Sequence, residues 1–266
     1  MKRMASALAA VTLIGVPLAG CSGSGESTGA HASPARTKLT VFAEASLKSS
    51  FEKLEKDFET ANPRFDVVLT FAESEELVTQ MDGGAHADVF APSSTTWINQ
   101  AEDKGLVPKH SSEVFALDTL EIAVAKGNPK NIEDLADLAA RPELVTVRCA
   151  SAVPCGETTD KLVRNAFLEN LRFDTEKESS RDALELLKAG EADAAIVYES
   201  DVASAEDKVD GIELAGAHLH SNTYEIAVTK DAKESNRSEA AQKYVDLVLS
   251  HEGQMTIVDA GFRPVK

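Results

Sequence analysis

Leu39-Thr40-Val41-Phe42-Ala43 is an apolar run of strand length. Ser46 follows it, and then Leu47, Phe51, Leu54 and Phe58 recur at spacings of four, three and four. The first run reads as a buried strand and the second as one face of an amphipathic helix. Ser46 stands at or next to the helix N-cap, where a hydroxyl and the first unpaired backbone N–H groups meet the positive end of the helix dipole. Such a position caps the helix, and it can also hold an oxyanion without a basic side chain.

The same alternation continues along the chain. Strand-like runs fall at 39–43, 67–72, 89–91, 120–125, 145–149, 194–198 and 224–229. Helical patterns lie between them at 47–58, 75–81, 97–104, 132–138, 158–171, 181–189 and 239–249, with Asn131 as a cap before 132. This order predicts an α/β protein with mostly parallel sheets covered by helices on both faces. The strands at 120–125 and 224–229 are bracketed by polar and turn residues, and each can carry the chain between two lobes. Residues 38–121 with 226–266 are then expected to form lobe I and residues 122–225 lobe II, with a cleft at the hinge. A single doubly wound sheet would give similar strings.

The chain starts with Lys2 and Arg3, an apolar stretch over 5–16, and Leu18-Ala19-Gly20-Cys21. This layout is that of an export signal. The last four residues follow the bacterial lipoprotein pattern, so cleavage before Cys21 and a lipid on its thiol are expected, with the protein anchored to the outer face of the cell membrane. The stretch 21–37 is rich in Ser, Gly, Ala and Pro and reads as a flexible tether. The whole chain carries 27 basic and 44 acidic residues, a net charge of −17. Loss of residues 1–20 removes two positive charges and leaves about −19, which argues against nucleic acid as a partner. It does not argue against a small anion, because a local cage of N–H dipoles outweighs a distant, screened surface charge. Besides Cys21 there are two cysteines, Cys149 and Cys155. In an exported protein a pair this close suggests a disulfide closing a small loop. A metal site is the rival reading, and no nearby histidine or second pair completes a tetrahedral set.

Other strand ends repeat the first one. Ser74 follows the run at 67–72 and precedes a stripe of Leu77, Val78 and Met81. Val153-Pro154-Cys155-Gly156 follows the run at 145–149, and Pro154 with Gly156 suits a tight turn that leaves the Cys155 N–H outward at a helix start. Ser180 precedes the helix at 181–189, and Tyr198 closes the run at 194–198. Taken with Ala45-Ser46-Leu47, Ala87-Asp88-Val89-Phe90, Lys126-Gly127-Asn128-Pro129, Ile196-Val197-Tyr198, Ser200-Asp201, Gly253-Gln254 and Gly261-Phe262, the chain resembles the periplasmic molybdate-binding proteins that serve ABC importers. The resemblance covers residues 38–266. It implies a two-lobe periplasmic-binding-protein fold of type II, closing on a tetrahedral oxyanion, molybdate or tungstate, held by neutral donors. By position, Ser46 and Ser74 would give hydroxyls and backbone N–H groups, Cys155 and Ser180 backbone N–H groups, and Tyr198 its phenol. Donor-only groups suit a fully deprotonated oxyanion, since a protonated one brings a hydrogen that needs an acceptor. The resemblance also implies a membrane permease as partner, a monomer, no cofactor, no enzymatic activity and no residue that ligates a cation directly, molybdenum being held as its oxyanion. Arg181 is expected beside the site without joining the cage.

Glu44, Glu73 and Glu75 flank the two serines, and Glu157, Glu178 and Glu199 stand near the second-lobe positions. They are expected to face solvent on the helix starts, where negative charge complements the dipole. Pointing inward, they would repel a dianion. Among rival readings, another oxyanion such as sulfate is the nearest. A secreted serine hydrolase using Ser46 or Ser74 lacks a base, as no histidine stands near either strand end. Ser50-Phe51-Glu52-Lys53 matches an S-x-x-K string, but Phe51 is needed on the buried face. His218 and His220 would share a strand face without a third metal ligand. Tyr224 is expected in hinge packing and Trp97 as a helix anchor.

Overall fold

The opening strand pairs on both sides with parallel neighbours: Val41 stands opposite Leu69 on one side and Val89 on the other. In the computed structural model, which describes residues 36–265, the strands are β1 (Thr37–Glu44), β2 (Phe65–Ala72), β3 (Val89–Ala91), β4 (Glu113–Asp118), β5 (Leu120–Ala125), β6 (Thr146–Cys149), β7 (Thr175–Lys177), β8 (Ala194–Tyr198), β9 (Val209–Glu213), β10 (Asn222–Val228) and β11 (Arg263–Pro264). The α-helices are α1 (Lys48–Ala61), α2 (Ser74–Asp82), α3 (Thr95–Asp103), α4 (Leu135–Ala140), α5 (Pro154–Asn165), α6 (Ser180–Lys188), α7 (Glu199–Ser204), α8 (Lys230–Glu234), α9 (Ser238–Leu249) and α10 (His251–Asp259). The export signal, the tether and Cys21 lie outside the described residues.

Two sheets form. The first has the order β11-β4-β10-β3-β1-β2 and the second β7-β6-β8-β5-β9. Each is mixed rather than mostly parallel. The pairs β1 with β2 and β3, and β6 with β7 and β8, are parallel, while β10 and β5 run antiparallel to their neighbours. The antiparallel strands are those next to the crossings. The chain leaves the first sheet between Asp118 and Leu120 and returns to it between Glu213 and Asn222.

Strand alternation gives each sheet two cores. Leu39, Val41 and Ala43 face Phe51, Leu54 and Phe58 of α1 and Tyr244 of α9, with the Phe58 and Tyr244 rings 5.4 Å apart edge to face. Phe42, on the opposite face of β1, packs with Leu77, Val78 and Met81 of α2 and Ile98 of α3. In the second sheet Ile122 and Ile196 join Leu162 of α5, whereas Ala123 and Val197 join Leu184 and Leu187 of α6. Both faces are covered, as near-continuous apolar strands require.

Several elements differ from the periodic reading. β7, β9 and β11 are short or polar edge strands without an apolar run. α5 starts at Pro154, whose missing N–H costs nothing at a first helical position, and ends at Asn165. α4 is capped by Asp134, which accepts from the Ala136 and Asp137 N–H groups, so Asn131 is not the cap. The Asn128 side chain instead bonds both the N–H and the carbonyl of Ile132.

The seam between the sheets is polar. Buried Asp118 accepts from the Ser200 hydroxyl at 2.5 Å, and Arg263 of β11 forks onto Glu199, with Nε to Oε2 at 2.8 Å, and reaches Glu213 at 3.2 Å. Gly261 has φ +91°, and a Cβ there would press on Ala203 and the Glu199 carbonyl, so only glycine allows this close approach.

Candidate functional site

β1, β2 and β3 each carry a serine two residues past their last position: Ser46, Ser74 and Ser93. Parallel register brings these serines to one sheet edge, at the carboxyl ends of the strands, where open α/β sheets bind ligands. Facing them are the starts of α5 and α6 and the end of β8. Together they line a cavity of about 560 Å³ that receives Ser46, Cys155, Ser180 and Tyr198 from the expected set. Ser74 is buried beneath the lining.

Ser46 sits inside a 3-10 turn, Ala45–Leu47, and makes no capping bond; the residue before α1 is Leu47. It is therefore not a helix cap. Its hydroxyl pairs at 2.9 Å with the phenol of Tyr224, which lines the cavity and is not merely hinge packing. Trp97 also lines the cavity while packing against the α2 and α3 core. Ser74 and Ser180 are the first residues of α2 and α6, and Cys155 is the second of α5, so their N–H groups lack intrahelical acceptors. Cys155 is held by a disulfide to Cys149, with Cα atoms 5.7 Å apart. Gly156 adds to this tight join: a Cβ there would overlap the Ala150 carbonyl.

Glu44 does not face solvent. It lines the cavity at 6% exposure, and its Oε2 accepts from the Ser74 N–H at 2.8 Å, from the Ser74 hydroxyl, and from the Ser93 hydroxyl at 3.3 Å. As the last residue of β1, Glu44 falls on the same face of the strand as Phe42. Burial pushes its carboxyl up to about 7 despite the Ser74 bonds, with repulsion from Glu73 acting in the same sense. Glu73 and Glu178 are exposed and line the cleft, Glu75 and Glu157 are exposed on helix starts, and Glu199 is tied to Arg263. Arg181, exposed, lines the opposite side. Burial raises Asp201, opposed by the Ser180 hydroxyl and the Arg181 charge. Tyr198 is raised by burial and by Asp118, Asp201 and Glu44, which keeps its phenol a neutral donor.

Ser93 escaped the sequence reading, yet its offset past β3 equals those of Ser46 and Ser74. Among the described residues no histidine lines the cavity. His86 is paired with Asp88 at 3.0 Å, and His220 sits on a 3-10 turn bonded to Asn165 at 3.1 Å rather than on a strand.

A family model, bacterial extracellular solute-binding protein, matches residues 39–263. The chain belongs to this family. As a solute-binding protein it holds a ligand and does not convert it. It is 37% identical over 224 residues to the molybdate-binding protein ModA of Mycobacterium tuberculosis, covering 84% of either chain. Among solved structures, a substrate binding domain from Clostridium difficile superposes with a TM-score of 0.75 at 22% identity, over 86% of this chain and all of that one. The sulfate-binding protein SubI from Mycobacterium tuberculosis gives 0.67 at 21%, over 87% and 88%. These likenesses show the type II periplasmic-binding-protein fold.

Proposed function

We propose that this solute-binding protein captures molybdate or tungstate in the cleft between its two sheets and delivers it to the membrane permease of an ABC importer. The observation that carries this reading is the convergence of neutral donors from both sheets on one cavity: the hydroxyls of Ser46, Tyr198 and Tyr224, and the helix-start N–H groups of Cys155 and Ser180. A dianion enclosed in a dry site needs its oxygens hydrogen-bonded, and these groups offer donors without requiring a counter-ion. The 37% identity to a molybdate-binding relative supports the ligand over sulfate. Ser74 joins the cage through Glu44, as argued below.

The two sheets with their helices act as lobes, and since β5 belongs whole to the second sheet and β10 whole to the first, the lobes meet between Asp118 and Leu120 and between Glu213 and Asn222 rather than at the expected 121/122 and 225/226; ligand binding shifts an open state toward a closed one that the permease recognises. Export and a lipid on Cys21 would keep the body at the outer face of the cell membrane, on the tether 21–37.

Thermal unfolding of the fragment from residue 36 tests the ligand. At a hundredfold excess over Kd, a ligand that binds only the folded state adds about 2.7 kcal/mol, a shift of several degrees. Micromolar molybdate or tungstate should produce it and millimolar sulfate should not. A shift with sulfate alone would transfer the assignment to that ion, and no shift with any oxyanion would overturn it.

A further inference from the structure

Glu44 presents a contradiction if the cleft takes a dianion. It is a carboxyl on the cavity wall, at the end of a central strand, and it already occupies both donors of Ser74 and the hydroxyl of Ser93 through Oε2. An ionised Glu44 would set a negative charge against the incoming ligand in a water-poor site, where repulsion is strong.

We propose that Glu44 is a specificity-determining member of the ligand cage that takes up one proton from solvent as the oxyanion enters and, as a neutral acid, donates a hydrogen bond from its free oxygen to a ligand oxygen. Each dianion is then bound together with one proton. This rests on the oxyanion reading given above. The balance is simple: the carboxylate and a solvent proton become a carboxylic acid, the ligand stays fully deprotonated, and Oε2 goes on accepting from Ser74 and Ser93.

The surroundings favour that exchange. Glu73, at the residue before α2, is the carboxylate set against Glu44 from its own sheet. Tyr224 of β10 and Tyr198 of β8 face it as phenols, both kept protonated by burial. Across the cleft stand Asp182, Glu178 and Asp201, with Arg181 as the cation among them. No basic group contacts Glu44 among the described residues, so a proton is the available means of neutralising it. Its raised affinity for protons puts that uptake near neutrality.

Calorimetric titration of the protein with molybdate, repeated in buffers of different ionisation enthalpy between about pH 6 and about pH 8.5, reads the proton directly. We expect net uptake approaching one proton per ligand at the alkaline end and an affinity that falls about tenfold per pH unit above about 7. Glu44→Gln, whose amide donates at every pH, should bind more tightly than the unchanged protein at about pH 8 and lose the slope. Binding with no proton uptake and no slope overturns the coupling and leaves the ligand assignment standing. No binding of molybdate or tungstate at any pH overturns both. Should Glu44→Gln not fold, the buffer series on the unchanged protein still decides.

Discussion

Gly156→Ala places a methyl group where the structure has no room. A Cβ at this position would overlap the Ala150 carbonyl group and lie 2.8 Å from the Cys149 oxygen. All of these are backbone atoms, so no rotamer change relieves them. Retreat is resisted on both sides: the Ala150 carbonyl accepts from the Val153 N–H at 3.1 Å, the Ala150 N–H donates to Lys177 at 2.8 Å, and the disulfide joins Cys149 to Cys155. Helix α5 and the end of β6 must part by roughly 1 Å, which costs about 1–3 kcal/mol of overpacking and about 1 kcal/mol for a weakened turn bond. Alanine returns up to about 1 kcal/mol through helix propensity. The net loss is about 2 kcal/mol, a fall of about 1 M in the urea midpoint for a chain of this size. Because Cys155 presents its N–H from the same turn, oxyanion affinity should drop at least about tenfold as well. Urea unfolding and calorimetric titration measure the two effects. A variant within about 0.5 kcal/mol of the parent that binds equally well would refute the packing argument.

Two further perturbations probe the buried carboxyls. In the folded, ligand-free protein Glu44 holds its proton up to about 7, whereas unfolded it releases it near 4.5. The native state therefore binds more protons over that window, and stability declines as pH rises through it, by on the order of 3 kcal/mol for this group. Glu44→Gln should match the parent at about pH 5 and exceed it by that amount at about pH 8 in urea unfolding; a constant difference would contradict the assignment. Arg263→Ala removes the fork onto Glu199 and the contact to Glu213, leaving Glu121, already pushed up to about 7 by burial and by Glu199, without its opposing cation. Discounted for the exposure of Arg263, the loss should be at most about 1 kcal/mol at about pH 8 and should shrink at about pH 5; a pH-independent loss would show that packing rather than charge is responsible.

The parts of the fold legible in the sequence are those where burial on both faces forces a continuous apolar run. β3, β5 and β8 occupy the residues their hydrophobic runs marked, and α1 with the 3-10 turn before it packs through the very stripe of Leu47, Phe51, Leu54 and Phe58. Strands such as Thr175–Lys177 and Val209–Glu213 stayed hidden because a sheet edge imposes no apolar pattern. β4 was hidden for another reason, since Glu113 and Asp118 bracket it and its purpose, pairing with β10 across the chain, is non-local. The site was legible through position rather than side-chain direction. Sequence offset places Ser46 and Ser74 at strand ends, but it cannot say that the Ser74 hydroxyl turns to Glu44, or that Tyr224, 178 residues away, meets Ser46. Those are consequences of register between strands distant in the chain.

The cleft's own acceptors decide what kind of ligand it can hold. Ser74 is held by Glu44 and Ser46 is paired with Tyr224, so at Ser46 a ligand does not meet a free donor but exchanges with an internal partner. In such an exchange each bond is worth only about 1 kcal/mol net, whatever its gross strength. A monocarboxylate offers two oxygens and engages only part of the donor set, gaining little. A tetrahedral dianion offers four oxygens and can draw on Ser46, Tyr198 and the helix-start N–H groups of Cys155 and Ser180 at once, from both sheets. Charge-assisted bonds of this kind are about twice as strong as those between neutral partners. The exchange at Ser46 therefore raises the threshold for weak anions, while the helix-start N–H groups leave a net gain for a ligand that spans both sheets, and selectivity for the dianion follows from the number of donors it engages at once.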